Sequence, residues 1–231
     1  MWYKNRNLVN SRRKLRTVIH SDPIAAARRL KELNLSIDVL CNAATAAYQA
    51  WSNCTDLDPK MYPGLTMYAV AIRHLRMHLL PQKWTATDDG NFALTVSPNG
   101  SMAISVATGD EATGIADMSP TTQSSKGPRT IEALAANNAQ LGFELTFPDG
   151  WDPPMYDPTK LSSRATWVLL IHRDEASVRA ELSHPLGIDE YRCLSGWRER
   201  ILLPSIDVDP LHEVEIDDRR RTIEVPVQRK A

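Results

Sequence analysis

The sequence predicts an α+β protein, in which an N-terminal helical part of about three helices is followed by a mostly antiparallel β-sheet with one short helix. Two observations carry this prediction. From residue 22 to residue 80 the apolar residues recur at helical spacing, and from residue 91 they recur at every second position. A run of helices followed by a run of strands is typical of α+β folds, whereas a doubly wound fold alternates the two.

Three helices are expected before residue 81. Asp22 and Pro23 are typical of an N-cap and a first helical residue, and Ser36 can cap a second helix. A third helix from about Leu65 should end at Pro81, because proline cannot continue the helical hydrogen bonding. The residues expected to pack these helices together are Leu30, Leu33, Leu40, Ala44, Tyr48, Ile72 and Leu75.

A β-hairpin is the clearest prediction in the second half. Residues 97–100 read Ser-Pro-Asn-Gly, a typical turn, and apolar residues alternate with polar or small ones on both sides of it. The residues expected to line the core of the sheet are Phe92, Leu94, Ile104, Val106, Trp167, Leu169, Ile171 and Ile201.

The remaining elements are shorter. Residues 108–130 are rich in Gly, Ser and Thr and predict a long loop, after which Thr130 can cap a helix over residues 131–141. Further strands are predicted at residues 145–147, 166–172, 178–183, 198–203 and 222–227. Within the strand that starts at residue 198, charged residues at 198–200 predict one face turned to water.

The same patterns divide the chain into three regions. They are a basic N-terminal arm over residues 1–21, a helical subdomain over residues 22–85 and a strand-rich subdomain over residues 86–231. One continuous domain is the alternative, because 231 residues fit either one large domain or two small ones.

Composition excludes several broad classes. The formal net charge is −1, so no overall field draws the chain to DNA or to a membrane. No apolar run is long enough to cross a bilayer, and the basic N-terminus lacks the apolar stretch of a secretory signal. Three cysteines without CxxC spacing favour a reducing compartment. We therefore expect a soluble, cytoplasmic protein that does not associate with membranes.

Two basic clusters and one acidic segment are candidate binding surfaces. Clustered Arg and Lys can contact phosphates, and a glycine-containing loop that opens a helix suits an anion. An acidic stretch can form a protein-docking surface, although such stretches are often only solvated. The candidate residues are Arg12, Arg13, Lys14, Arg16, Lys126, Arg129, Asp207, Asp209, Glu213 and Glu215.

No motif assigns a catalytic residue, a metal or a cofactor. His74 and His78 share a helix face, but the glutamate of an HExxH zinc motif is missing and two arginines lie nearby. Residues 172–174 read His-Arg-Asp without the other kinase motifs. An enzyme without a recognisable motif remains one hypothesis. It would require a pocket lined by His172, Asp174, Glu181 or Glu199.

Four segments, residues 104–114, 124–130, 167–174 and 196–210, stand out together. With them, roughly residues 65–210 resemble an uncharacterised protein family carried by proteobacterial prophages, plasmids and genomic islands. The family supplies no established catalytic residues. The resemblance implies a bacterial host cell and a setting in which small accessory proteins often bind host defence machinery, anti-CRISPR proteins being the best-known class.

The leading hypothesis is therefore a non-enzymatic, protein-binding inhibitor from a mobile genetic element, acting on a host defence complex such as a CRISPR effector. The first alternative is a nucleic-acid-binding accessory protein of a phage or plasmid, which would contact phosphates through the basic arm and the loop at Lys126 and Arg129. The second alternative is the enzyme described above.

Overall fold

The computed structural model of the chain describes residues 16–148, 151, 156, 157, 159, 161–174 and 177–207. Its α-helices are α1 (Pro23–Glu32), α2 (Ile37–Ser52), α3 (Tyr62–Leu79) and α4 (Pro128–Ala139). Its strands are β1 (Val18–His20), β2 (Thr85–Thr87), β3 (Leu94–Val96), β4 (Met102–Thr108), β5 (Ala165–Arg173), β6 (Ser177–Ile188), β7 (Leu194–Leu202) and β8 (Ile206–Asp207). The α+β class is confirmed. The sequence pattern did not predict the short strands β1, β2 and β8, and β1 lies in the region taken as a basic arm.

All eight strands belong to one mixed sheet in the order β1-β7-β6-β5-β4-β3-β2, with β8 paired to β6. The pairs β1–β7 and β4–β5 are parallel, and the other pairings are antiparallel. The sheet is therefore mostly antiparallel, as predicted. The first strand, β1, pairs with β7, which lies near the C-terminal end of the described residues.

The helix starts follow the predicted capping residues in two cases. The Asp22 carboxylate accepts a hydrogen bond from the Ala25 amide at 2.9 Å, and the Ser36 hydroxyl accepts one from Val39 at 3.4 Å. Helix α4 begins earlier than expected, at Pro128, with Gly127 in place of Thr130 as its N-cap. The fixed φ of proline suits the first helical position, which explains the earlier start.

The sheet is buried on both faces. Helices α1–α3 cover one face, and α4 covers part of the other, where Ile131 and Leu134 form a core cluster with Val168 and Leu170. All seven predicted helix residues pack in the α1–α3 core, with Leu33 partly buried. No helix in the described part of the chain is long and apolar enough to span a membrane.

The hairpin forms, but the apolar residues of its first strand, β3, lie on the opposite face of the sheet from the predicted one. Thr95 lies opposite Ile104 and Val96 lies opposite Ala103. Because residues directly opposite each other share a face, Val96 points away from the α1–α3 core that contains Ile104. Phe92 and Leu94 likewise line a groove beside α4. Alternation predicted the strands, but with both faces buried it could not predict which face each residue takes.

Two other strand predictions change. Residues 145–147 are irregular, although Leu145 and Phe147 still pack against the α4 core cluster. The strand predicted at residues 222–227 lies outside the described residues. The strands predicted at residues 166–172, 178–183 and 198–203 are confirmed as β5, β6 and β7. Strands β5 and β6 extend further at both ends, whereas β7 begins earlier and ends at Leu202.

Strand β7 contains a β-bulge, and two of the three charged residues predicted to form its water-facing side are buried. His184 lies opposite Glu199, whereas the next residue, Pro185, lies opposite Trp197, so Arg198 is the extra residue. Glu199 and Arg200 are only 8% and 2% exposed. The prediction was wrong because β7 lies inside the sheet between β1 and β6, with protein covering both of its faces.

Near this bulge the backbones of β6 and β7 approach closely at Gly187, where a Cβ atom would lie 2.4 Å from the carbonyl oxygen of Ser195. We expect Gly187→Ala to destabilise the protein by roughly 1–3 kcal/mol, because backbone atoms must move apart. Chemical denaturation measures this change.

Gly64 in α3 is the matched control, since a Cβ atom there would meet nothing within 4 Å. Gly64→Ala should stabilise the protein by up to about 1 kcal/mol, because alanine is the better helix former. Equal denaturation midpoints for the two variants would contradict the close approach.

Candidate functional site along helix α4

The loop between β4 and α4 is folded by its own polar side chains. The Asp110 carboxylate accepts hydrogen bonds from the Ala112 amide at 3.1 Å, the Thr121 amide at 3.0 Å and the Thr121 hydroxyl at 2.9 Å. This closes residues 110–121 into a compact turn. The polar composition that suggested a binding loop therefore serves the loop's own structure in this part.

A buried ion pair attaches the same loop to the sheet. Arg200 Nε lies 2.9 Å from Glu181 Oε1, and Arg200 Nη2 lies 2.6 Å from Glu181 Oε2. The two side chains are 2% and 0% exposed. Arg200 also donates to the carbonyl oxygens of Ile115, at 3.0 Å, and Met118, while Glu181 accepts from the Gly114 amide at 2.8 Å.

Further hydrogen bonds carry this attachment along the loop to α4. The Trp197 indole donates to the carbonyl of Pro120 at 2.8 Å, and the Leu194 amide donates to the Thr122 hydroxyl at 3.0 Å. The Lys126 amide then donates to the carbonyl of Arg192 at 2.8 Å. The sheet thus determines where Lys126 and the start of α4 lie.

A groove of about 460 Å³ runs beside α4. We call it the α4 groove. Ala133 and Ala136 of α4 form one wall, Phe92 and Leu94 form another, and Leu161 contributes from the segment before β5. Its volume and largely apolar lining are typical of ligand-binding clefts.

Charged side chains of both signs also line the α4 groove. Arg129 Nη1 lies 3.0 Å from Glu132 Oε2, and Arg164 Nε donates to the carbonyl of Gly100 at 3.3 Å. Asp89, in the segment before β3, adds a further carboxylate to the lining. The groove therefore combines apolar surface with positive and negative groups.

A smaller pocket of about 200 Å³ adjoins the start of α4. We call it the Lys126 pocket. Its polar groups come from Lys126, Tyr68, Asn91, Ser105, Ser125 and Thr130. Phe92 lines both this pocket and the α4 groove. Lys126 is half-buried, and burial lowers the pKa of its ammonium.

A second polar cluster lies on the opposite face of the sheet, under α1. Glu199 Oε2 accepts from Arg29 Nη2 at 3.0 Å, and Glu199 Oε1 lies 2.9 Å from the His20 imidazole. Burial by itself would raise the pKa of Glu199, but Arg29 and His20 outweigh it and hold the pKa below its usual value. The Glu199 carboxylate thus connects β7 to α1 and β1.

His184 lies beside this cluster without a hydrogen-bond partner. Neither of its ring nitrogens is bonded in the described part of the structure, the residue is 2% exposed, and its ring packs edge-on against Trp167 at 5.1 Å. Burial, aided by the positive charge of Arg198, lowers its pKa to about 4. His184 is therefore neutral at physiological pH.

The structure describes four of the ten candidate binding residues. Lys126 and Arg129 line the adjoining pocket and groove, whereas Arg16 is exposed ahead of β1 and Asp207 is exposed in β8. The other six lie outside the described residues, and they are Arg12, Arg13, Lys14, Asp209, Glu213 and Glu215.

The residues named for the enzyme hypothesis have other roles. His172 Nδ1 lies 3.2 Å from the carbonyl of Gly109, and Asp174 accepts from the Ser177 amide at 2.7 Å in the turn between β5 and β6. Glu181 and Glu199 are held in the ion pairs described above. None of the four lines the α4 groove or the Lys126 pocket.

Sequence reasoning found Lys126 and Arg129 but missed the rest of the site. Asp89 and Phe92 are far from Arg164 in the sequence, and they meet it only because β3, β4 and β5 are neighbours. The only available signal was the loop before α4, whose glycine and basic residues suggested an anion site.

No protein-family model matches this chain, and no curated protein or solved structure matches it either.

We expect Glu181→Gln to destabilise the protein by roughly 3–5 kcal/mol, because it leaves the buried Arg200 guanidinium uncompensated. Thermal or urea denaturation measures the change. The control is Glu132→Gln in the exposed Arg129–Glu132 pair, whose loss should change stability by no more than about 1 kcal/mol. A Glu181 variant as stable as the wild type would contradict the role assigned to this pair.

His184 predicts an acid-sensitive stability. Its pKa is about 4 when folded and 6.5 ordinarily, so between these pH values the unfolded chain binds more protons than the folded one. The free energy of unfolding should therefore fall as pH drops from 6.5 to 4, by up to about 3 kcal/mol from this group.

Urea denaturation across this pH range measures the effect. His184→Leu should flatten the profile, whereas His78→Gln, which removes an exposed imidazole, should keep the wild-type slope. The same slope in the His184 variant would refute the assignment.

Proposed function

We propose that this protein is a non-enzymatic inhibitor from a mobile genetic element that binds a host defence complex, of the anti-CRISPR type, by holding a segment of a defence protein in the α4 groove. The observation that carries the proposal is the lining of that groove. Phe92, Leu94 and Ala133 offer apolar surface, while Arg129 and Glu132 offer charges of opposite sign.

This lining suits a polypeptide better than a polyphosphate chain. A polypeptide segment presents apolar side chains together with cationic and anionic ones, and each can meet its complement in the groove. A nucleic-acid strand would bring phosphates next to Asp89 and Glu132, where like charges repel. The groove therefore favours a protein partner over the nucleic-acid alternative.

The choice of a defence complex as the target comes from the resemblance of residues 65–210 to proteins of prophages, plasmids and genomic islands. Genes carried by such elements meet host immunity directly. An accessory protein that binds through a groove and has no assigned catalytic group fits the inhibitor class within that setting.

The test is a pull-down with the tagged protein from bacteria that carry an active CRISPR system, with plasmid interference measured in the same cells. The wild type should recover effector subunits and reduce interference. Ala133→Arg should abolish both effects, because it fills the groove from its α4 wall.

Ala139→Arg is the matched control, since it adds the same side chain at the exposed end of the same helix and should retain both effects. Unimpaired interference with no effector subunits recovered would refute the proposal. Recovery of nucleic acid instead would favour the accessory-protein alternative. In that case a plot of log affinity against log salt concentration should have a slope of about −0.9 for each phosphate contact.

A further inference from the structure

We propose that the Lys126 pocket binds the oxyanion of a small organic anion, a phosphate monoester or a carboxylate, with the Lys126 ammonium as its counter-ion. This site is separate from the α4 groove, although Phe92 borders both. The inference does not depend on the proposed partner protein.

The first support is an unpaired positive charge in a recessed position. Among the residues that the structure describes, none accepts a hydrogen bond from the Lys126 ammonium, and no Asp or Glu lines the pocket. A charge withdrawn from water without a partner costs free energy. An anionic ligand would supply the missing counter-charge.

The second support is a set of neutral donors around the same cavity. The hydroxyls of Ser125 and Thr130 line the pocket, and neither is hydrogen-bonded to another described residue. Tyr68 also lines it, and burial raises the pKa of its phenol, so its hydroxyl stays protonated and can donate. Several donors around one ammonium match the multiple acceptor oxygens of a phosphate or carboxylate.

The other residues of the pocket favour a ligand with a small apolar part next to its anionic group. Phe92, Val106, Val168 and Leu194 give it apolar walls. A volume of about 200 Å³ corresponds to roughly seven waters at ~30 Å³ each, enough for an anionic group with a small ring or short chain. Burial of that apolar body should add affinity beyond that of the bare ion.

The experiment is an NMR titration of the ¹⁵N-labelled full chain with inorganic phosphate, phenyl phosphate and benzoate, following the amides of residues 125–130. We expect saturable shifts that centre on these amides, and at least tenfold tighter binding of phenyl phosphate or benzoate than of inorganic phosphate. Whichever of the two organic anions binds more tightly identifies the oxyanion. Benzylamine has a similar apolar body but is a cation, and it should cause no saturable shift.

Two variants complete the test. Lys126→Met keeps much of the side chain but removes the charge, and should weaken binding at least tenfold, whereas Lys31→Met on the exposed surface of α1 should leave it unchanged. Lys126→Met should melt no lower than the wild type, because it removes an unpaired, partly buried charge, so lost binding would not reflect unfolding. Equal affinity for Lys126→Met and wild type, or equal binding of benzylamine, would overturn the proposal.

Discussion

The ion pair between Glu181 and Arg200 is the interaction on which the functional face of this protein depends. Removing both charges from water is expensive, and attraction between them repays it only if their remaining donors and acceptors are also satisfied. Here Ser183 and the Gly114 amide bind the carboxylate, and loop carbonyls accept from the guanidinium. The loop before α4 is thus attached to the sheet by charge-assisted hydrogen bonds, and it brings Lys126 to its position.

Strand β7 makes charged contacts on both faces of the sheet. Glu199 and Arg200 are adjacent, so their side chains point to opposite faces, one toward α1 and β1 and the other toward the loop. The bulge at Arg198 then turns Trp197 toward the α4 side, where its indole binds the loop at Pro120. A short charged stretch of sequence thereby joins the N-terminal strand, the helical layer and the loop to one strand.

The parts of the fold that could be predicted from the sequence are those set by residues close together in the chain. Caps and apolar spacing are local, so α1, α2 and strands β3 to β7 were predicted from them, and so was the loop that carries Lys126. Strands β1, β2 and β8 are too short to show such a pattern and were not predicted. Register is not local. Thr95 lies opposite Ile104, which places Leu94 on the other face from Ile104, and no alternation pattern determines this when both faces are apolar.

The groove and the charged interior were beyond sequence reasoning for a related reason. Glu199 and Arg200 looked like part of a strand with one water-facing side, because their partners Arg29 and Glu181 lie elsewhere in the chain. The walls of the groove come from Phe92, α4 and Leu161, and the strand order that unites them leaves no periodic signature.

The parallel pairing of β1 with β7 has a consequence for how the chain acquires its structure during synthesis. Val18 lies opposite Glu199, so β1 cannot form its β-ladder until β7 has been synthesised. At a translation rate of about 5–20 residues per second, that interval is on the order of ten seconds or more. The apolar face of α1–α3 emerges from the ribosome long before its sheet exists, so the nascent chain exposes that face to chaperones throughout the interval.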